Sequence, residues 1–151
     1  MIGAKHPREI ELTTFEMVAS DATPATSHGM RIAGWALSGV TIAFMAFDAT
    51  IKLLDLPVVV ESSQKLGLPT YLDRPIGLIE LVCLLLYIWP RTAMLGAILF
   101  TAIFGGAIAT HLRLDDPLFT HTLFGVYLGL FAWGGLWFRS AALRRLIPFR
   151  H

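Results

Sequence analysis

Charge is scarce in this chain and cysteine nearly absent. Only 15% of its 151 residues are Asp, Glu, Lys or Arg, against about 25% in an ordinary soluble domain. The formal net charge is +1, so there is no basic excess of the kind that holds nucleic acid. Cys83 stands alone, which excludes an intrachain disulfide, a CxxC redox pair and a cysteine–histidine zinc site. Residues 1–27 contain no apolar core of the sort a cleavable signal peptide needs. The first apolar block, starting at Ile32, is therefore expected to remain as an anchor.

What the chain has in excess is apolar residues, in long blocks. They make up 55% of the sequence, and the mean hydropathy is +0.64. Blocks of this length point to a membrane rather than to a large soluble core. The reading is all-α: a four-transmembrane-helix bundle with a short interfacial helix between spans 1 and 2. Residues 1–29 are expected to form a flexible cytoplasmic arm, with a weak helix around Arg8–Ala19, and residues 30–151 the membrane domain. Span 1 is placed from about Arg31 to Leu54. The interfacial helix follows Pro57, which suits a first helical position, and Gly67 suits its end. Span 2 runs from about Pro75 to Trp89 and is stopped by Pro90, with Leu72, Asp73 and Arg74 extending it by snorkelling. Spans 3 and 4 run from about Thr92 to Leu112 and from Leu118 to Trp137. The Asp115-Asp116-Pro117 turn between them is read as capping the fourth helix.

Small residues suggest how the last two spans pack. Thr101, Ala102, Gly105, Gly106, Ala109 and Thr110 share one face of span 3, and His121, Gly125, Gly129 and Ala132 one side of span 4. An antiparallel pair would set Ala109 near His121, Gly105 near Gly125 and Ala102 near Gly129. Trp133 and Trp137 are expected to anchor the far end at the interface, and Arg139, Arg144, Arg145 and Arg150 to meet anionic headgroups. The arginines and lysines are denser on the side of both termini and the second–third loop. That bias predicts the cytoplasmic (inner) membrane, multi-pass, with cytoplasmic termini.

Ser38, Thr41, Met45, Asp48 and Lys52 follow a 3-4-3-4 spacing and form one seam of span 1. Gly77, Glu80, Cys83 and Tyr87 share a face of span 2. Asp48 and Lys52 are four apart and can pair. With Glu80, His111 and His121 they fall at one end of the bundle, opposite the basic side. Intramembrane ionisable groups raise a functional hypothesis by default, so these five are the candidate ligand-binding set: a polar pocket for a lipophilic molecule with a polar head. The competing reading is a network that fixes helix register without chemistry. His111 points away from the small face of span 3 by wheel arithmetic, alongside Phe104 and Ile108, whereas His121 looks inward. No histidine pair at i,i+4 exists, so no metal site is assigned. Cys83, Tyr87, Trp35 and Trp89 are read as packing or belt residues.

At these residues the chain resembles the DoxX-like small bacterial membrane proteins. The matching pieces are Phe47-Asp48-Ala49-Thr50-Ile51-Lys52-Leu53-Leu54, Leu66-Gly67-Leu68-Pro69 and Ile76-Gly77-Leu78-Ile79-Glu80-Leu81. Further blocks are Pro90-Arg91-Thr92-Ala93-Met94-Leu95-Gly96-Ala97 and Gly105-Gly106-Ala107-Ile108-Ala109-Thr110-His111-Leu112-Arg113. The resemblance covers about residues 30–150. It implies a four-helix integral membrane protein. Through the wider DoxX/DoxD group it also implies a link to quinone oxidoreduction or to oxidative and thiol stress. A quinone is then the cofactor to consider, and membrane lipid, a soluble oxidoreductase subunit or a second copy of the chain the partners. The chain has no cysteine pair and no haem, flavin or iron–sulfur motif, so it is not a complete redox enzyme on its own, and no catalytic residue is assigned. The alternative function is a structural scaffold or assembly partner without ligand. A small-solute transporter has least support, since no inverted repeat or broken helix is visible.

Overall fold

The computed structural model describes residues 27–146, and every regular element in them is helical. Helix α1 spans His28–Leu53, α2 Pro57–Lys65, α3 Asp73–Ile88, α4 Ala93–Arg113, α5 Phe124–Arg139 and α6 Ala141–Leu146. The arm expected over residues 1–29 and Arg150 fall almost wholly outside the described residues. Helix α1 starts where Ser27 Oγ accepts from the Met30 amide at 3.3 Å, an N-cap that satisfies one of the orphan donors of the first turn. It ends at Leu54, after which Asp55 takes a positive φ of 56°. Pro57 does open α2, and Gly67 follows its end with φ 68°. That left-handed conformation is costly for any residue with a Cβ.

Four helices form a closed ring in which α1 packs on α3 and α5, and α4 packs on α3 and α5. Each neighbouring pair runs antiparallel, and glycines let the backbones approach. At the α1–α5 contact a Cβ on Gly34 would stand 2.9 Å from the Arg139 amide. At the α1–α3 contact a Cβ on Gly77 would stand 3.1 Å from the Ala49 carbonyl. Such approaches replace bulk with dense backbone contact. The core between the helices holds Met45, Cys83, Leu84, Tyr87, Phe100, Phe104 and Leu128. Tyr87 is fully buried. Its hydroxyl donates to the Ala132 carbonyl at 2.7 Å and lies 3.0 Å from Ser38 Oγ, so one side chain ties α3 to both α1 and α5.

Helices α1 and α4 are long and apolar enough to cross a membrane. Helices α3 and α5 have 16 residues each, about 24 Å of rise against a hydrocarbon layer of about 30 Å. The fourth predicted span is divided. Leu118–Thr122 winds as a π-turn, and the α-helix resumes only at Phe124.

Two packing expectations are corrected. Helices α4 and α5 do pair antiparallel, but α4 turns a different face inward. Ala102, Gly105, Gly106 and Ala109 are exposed, and nothing lies within 4 Å of a Cβ built on Gly105 or Gly106. Phe100 and Phe104 are buried instead, and Ile108 packs over Gly125 of α5, where a Cβ would stand 3.1 Å from Ile108 Cγ1. The small residues of one helix accept the large ones of the other, which fills the core better than small against small. Trp133 is half-buried, and its indole donates to Thr101 Oγ1 at 2.9 Å, a further link between α5 and α4. Arg139 and Arg144 turn to protein rather than outward. The Arg139 guanidinium lies over Trp35 and Tyr87, 4.5 and 5.0 Å from the ring centroids, and Arg144 Nη1 donates to the Trp137 and Phe138 carbonyls at the end of α5. Both places reward a cation, one with an aromatic face and one with unpaired terminal carbonyls.

Candidate ligand cavity at one end of the bundle

One end of the ring gathers the end of α1, the start of α3, the end of α4 and the π-turn before α5, with α2 laid against it. These elements enclose a cavity of about 540 Å³, within the size range that holds a small organic ligand. Asp48, Lys52, Glu80, His111 and His121 all line it, so the five residues singled out from the sequence meet at one place.

The Lys52 ammonium donates to Asp48 Oδ2 at 2.7 Å and to Glu80 Oε1 at 2.6 Å. The first bond is the expected i,i+4 pair on α1; the second crosses to α3. Glu80 is 2% exposed. Its other oxygen, Oε2, has no hydrogen-bond partner among the described residues.

Helix α3 contributes a second buried acid, at a position expected from sequence to extend span 2 by snorkelling. Asp73 is 2% exposed and lines the same cavity. Ser63 of α2 donates to its Oδ1 at 2.5 Å, while Oδ2 has no partner among the described residues. Asp73 stands seven residues before Glu80, two turns away on one face. That spacing was the signal available in the sequence, but only the packing of α2 over the start of α3 decides that the carboxylate turns inward.

The histidines meet from opposite sides of the last turn. Their ring centroids are 5.7 Å apart, edge to face. His111 lies away from the Gly105–Ala109 face, beside Phe104 and Ile108, and because this is the inward face of α4 it looks into the cavity. Asp116 does not cap the following helix. Its Oδ2 accepts from His111 Nδ1 at 2.7 Å, which holds the imidazole in place from the loop. His121 is exposed at the rim, with Nδ1 2.9 Å from Thr120 Oγ1. The π-turn carries it there, and such turns recur at sites where a side chain must be re-aimed. No cluster of three or more His, Cys, Asp or Glu suited to a metal ion occurs among the described residues. The remaining wall is apolar, with Phe44, Ile103, Phe104 and Leu128 prominent.

The sequence model of the DoxX-like family matches residues 36–135, from the first helix of the ring to the last. The chain belongs to the DoxX-like family. Every residue of the cavity lies within the matched stretch. No curated protein and no solved structure matches the chain. DoxX-like membership and the two long apolar helices together indicate a membrane protein.

Proposed function

We propose that this DoxX-like protein crosses the cytoplasmic membrane four times, with both termini cytoplasmic, and binds a small lipophilic molecule of quinone type in the cavity. Large apolar side chains on the outer surface of all four helices support the four crossings, among them Val40, Leu85, Ile98 and Leu130, each about half exposed or more. On a soluble protein so extensive an apolar surface would drive association. The turns before α3 and α5 supply the length that their 16 residues lack. The excess of arginine on the side of the termini supports the orientation.

The observation that carries the ligand reading is the cavity itself: ionisable side chains from three helices at one end, an apolar wall beside them, and room for a ring with a tail. The protein then serves as the membrane-embedded subunit of a redox or thiol-stress system, with a soluble oxidoreductase as its partner. The test is binding of a short-chain quinone and its hydroquinone to the full chain in mild detergent. Ala107 lines the cavity and is exposed, so Ala107→Trp fills the space without crowding the core. Binding by the parent protein and its loss in this variant is the expected result. No binding of either form, or binding indifferent to Ala107→Trp in a folded protein, overturns the reading.

A scaffold without ligand is favoured by one observation, the Lys52 bridge between α1 and α3, which a register lock would also need. It predicts that replacing Lys52 and Glu80 together by Met and Leu leaves a folded, functional protein.

A further inference from the structure

The cavity has a polar end and an open side, and the two lie at different depths. Three of the four seams between the helices carry a close contact beside it. Lys52 bonds Glu80 between α1 and α3. The rings of Phe44 and Phe124 meet edge to face, 5.0 Å apart, between α1 and α5. Between α4 and α5, a Cβ on Gly125 would stand 3.1 Å from the Phe104 carbonyl oxygen. The fourth seam differs. Helices α3 and α4 meet closely at the other end of the bundle, where a Cβ on Gly96 would collide with the Tyr87 backbone. Beside the cavity, Ile76 of α3 and Ile103, Gly106 and Ala107 of α4 line the space between them. Gly106 and Ala107 are exposed, and nothing lies within 4 Å of a Cβ on Gly106. Gly106 stands two residues from the buried Phe104, about 200° of helix rotation, and so faces outward. Its place in the lining means that the space reaches the outer surface there.

Depth separates this opening from the polar groups. Lys52 and His111 lie in the last turns of α1 and α4. Gly106 stands seven residues before Arg113, the last residue of α4, about 10 Å further into the bundle. Size matters as well. Ligand pockets run to about 300–1,000 Å³, so one of about 540 Å³ holds a ring and a short chain but no long tail. We infer that the α3–α4 seam is a lateral portal with Gly106 and Ala107 as its sill, through which a long hydrocarbon tail passes from the cavity into the acyl chains. The inference rests on the ligand-binding reading above and names its ligand class: a long-tailed membrane lipid with a compact polar ring, held head first at the polar end. Such a tail stays out of water on both sides of the portal, so leaving part of it outside the cavity carries no hydrophobic cost.

The experiment compares two quinones with the same head ring, one short-tailed and one carrying a long polyprenyl tail, on the full chain in one mild detergent. The readout is each probe's affinity for a variant relative to the parent protein, so that partition into micelles cancels. Gly106→Phe narrows the portal from α4 and Ile76→Phe from α3. Using both, each checked for folding by its melting temperature, keeps the test open if one fails to fold. The long-tailed probe is expected to bind either variant at least about tenfold more weakly, the scale of losing the burial of about two methylene groups, while the short-tailed probe changes by less than about twofold. A diazirine at the far end of the long tail is expected to label α3 and α4 beside Ile76 and Gly106. Label at Val58, Ser62 or His121, which line the space at the end of the bundle, overturns the inference. Equal losses for both probes, or no loss for either, overturn it too. Each of these results leaves the cavity reading intact. Failure of both probes to bind the parent protein overturns the cavity reading itself.

Discussion

Lys52 Nζ stands 2.6 Å from Glu80 Oε1, across a sequence separation of 28 residues, and this one bond joins the polar seam of α1 to the buried face of α3. The lysine side chain is 21% exposed and the glutamate 3%, so the acid depends on the cation far more than the reverse. Removing the cation alone strands two carboxylates. Lys52→Met is expected to cost roughly 2–4 kcal/mol, somewhat below the loss for a fully enclosed pair because the lysine keeps some access to its surroundings. Adding Glu80→Leu is expected to recover most of it. Unfolding in mixed detergent checks both, and a double variant no more stable than the single one would contradict the dependence.

Tyr87→Phe removes the bonds to the Ala132 carbonyl and Ser38 while keeping the ring against Phe100. The Ala132 carbonyl keeps its helical bond, so the expected loss is about 1–2 kcal/mol, near that of one buried hydrogen bond with a second weakened. Chemical denaturation against the parent protein measures it.

The glycines separate into two groups with opposite expectations. Gly96 meets the backbone of Tyr87, which cannot move aside, so Gly96→Ala is expected to destabilise by about 1–3 kcal/mol or more. Gly105→Ala and Gly106→Ala meet open space and are expected to be neutral or stabilising by up to about 1 kcal/mol, since alanine holds a helix better than glycine. Melting temperatures of the three variants decide it. The small-face packing expected from sequence would put the damage at Gly105 and Gly106 instead.

Helix α2 is held over the cavity at two points, Ser63 on Asp73 and the Leu66 carbonyl on Arg113 Nη2 at 2.7 Å. Ser63→Ala is expected to speed amide exchange over residues 57–65 while leaving α3 and α4 protected. Exchange that rises equally throughout the bundle would mean that α2 is not a separately held element.

The polar seam was legible because side-chain spacing on a helix is fixed. Ser38, Thr41, Met45, Asp48 and Lys52 had to share a face, as did Gly77, Glu80, Cys83 and Tyr87, and in a membrane such faces turn inward. Helix α4 was not legible in the same way. It is apolar on every side, so its periodicity carries no direction, and its small stripe looked like the packing face. The choice depended on the shape of α5, whose Gly125 leaves room for Ile108. Asp73 and Asp116 were missed for a related reason. Asp73 opens α3 and Asp116 lies in the turn after α4, and whether a carboxylate at such a boundary faces out or in depends on which helix lies against it. The division of the fourth span at the π-turn likewise follows from local backbone geometry that composition does not encode.

The central claim is that ionisable groups from separate helices meet to hold one lipophilic molecule at this end of the bundle. Photo-crosslinking tests it most directly, using a short-tailed hydroquinone bearing a diazirine on the protein in native membranes, with labelled residues read by mass spectrometry. Label concentrated on the cavity wall around Glu80, Phe104 and Phe124, and displaced by unlabelled hydroquinone, is the result expected. Label spread over outward residues such as Leu85, Ile98 and Leu130, with no displacement, would contradict the account.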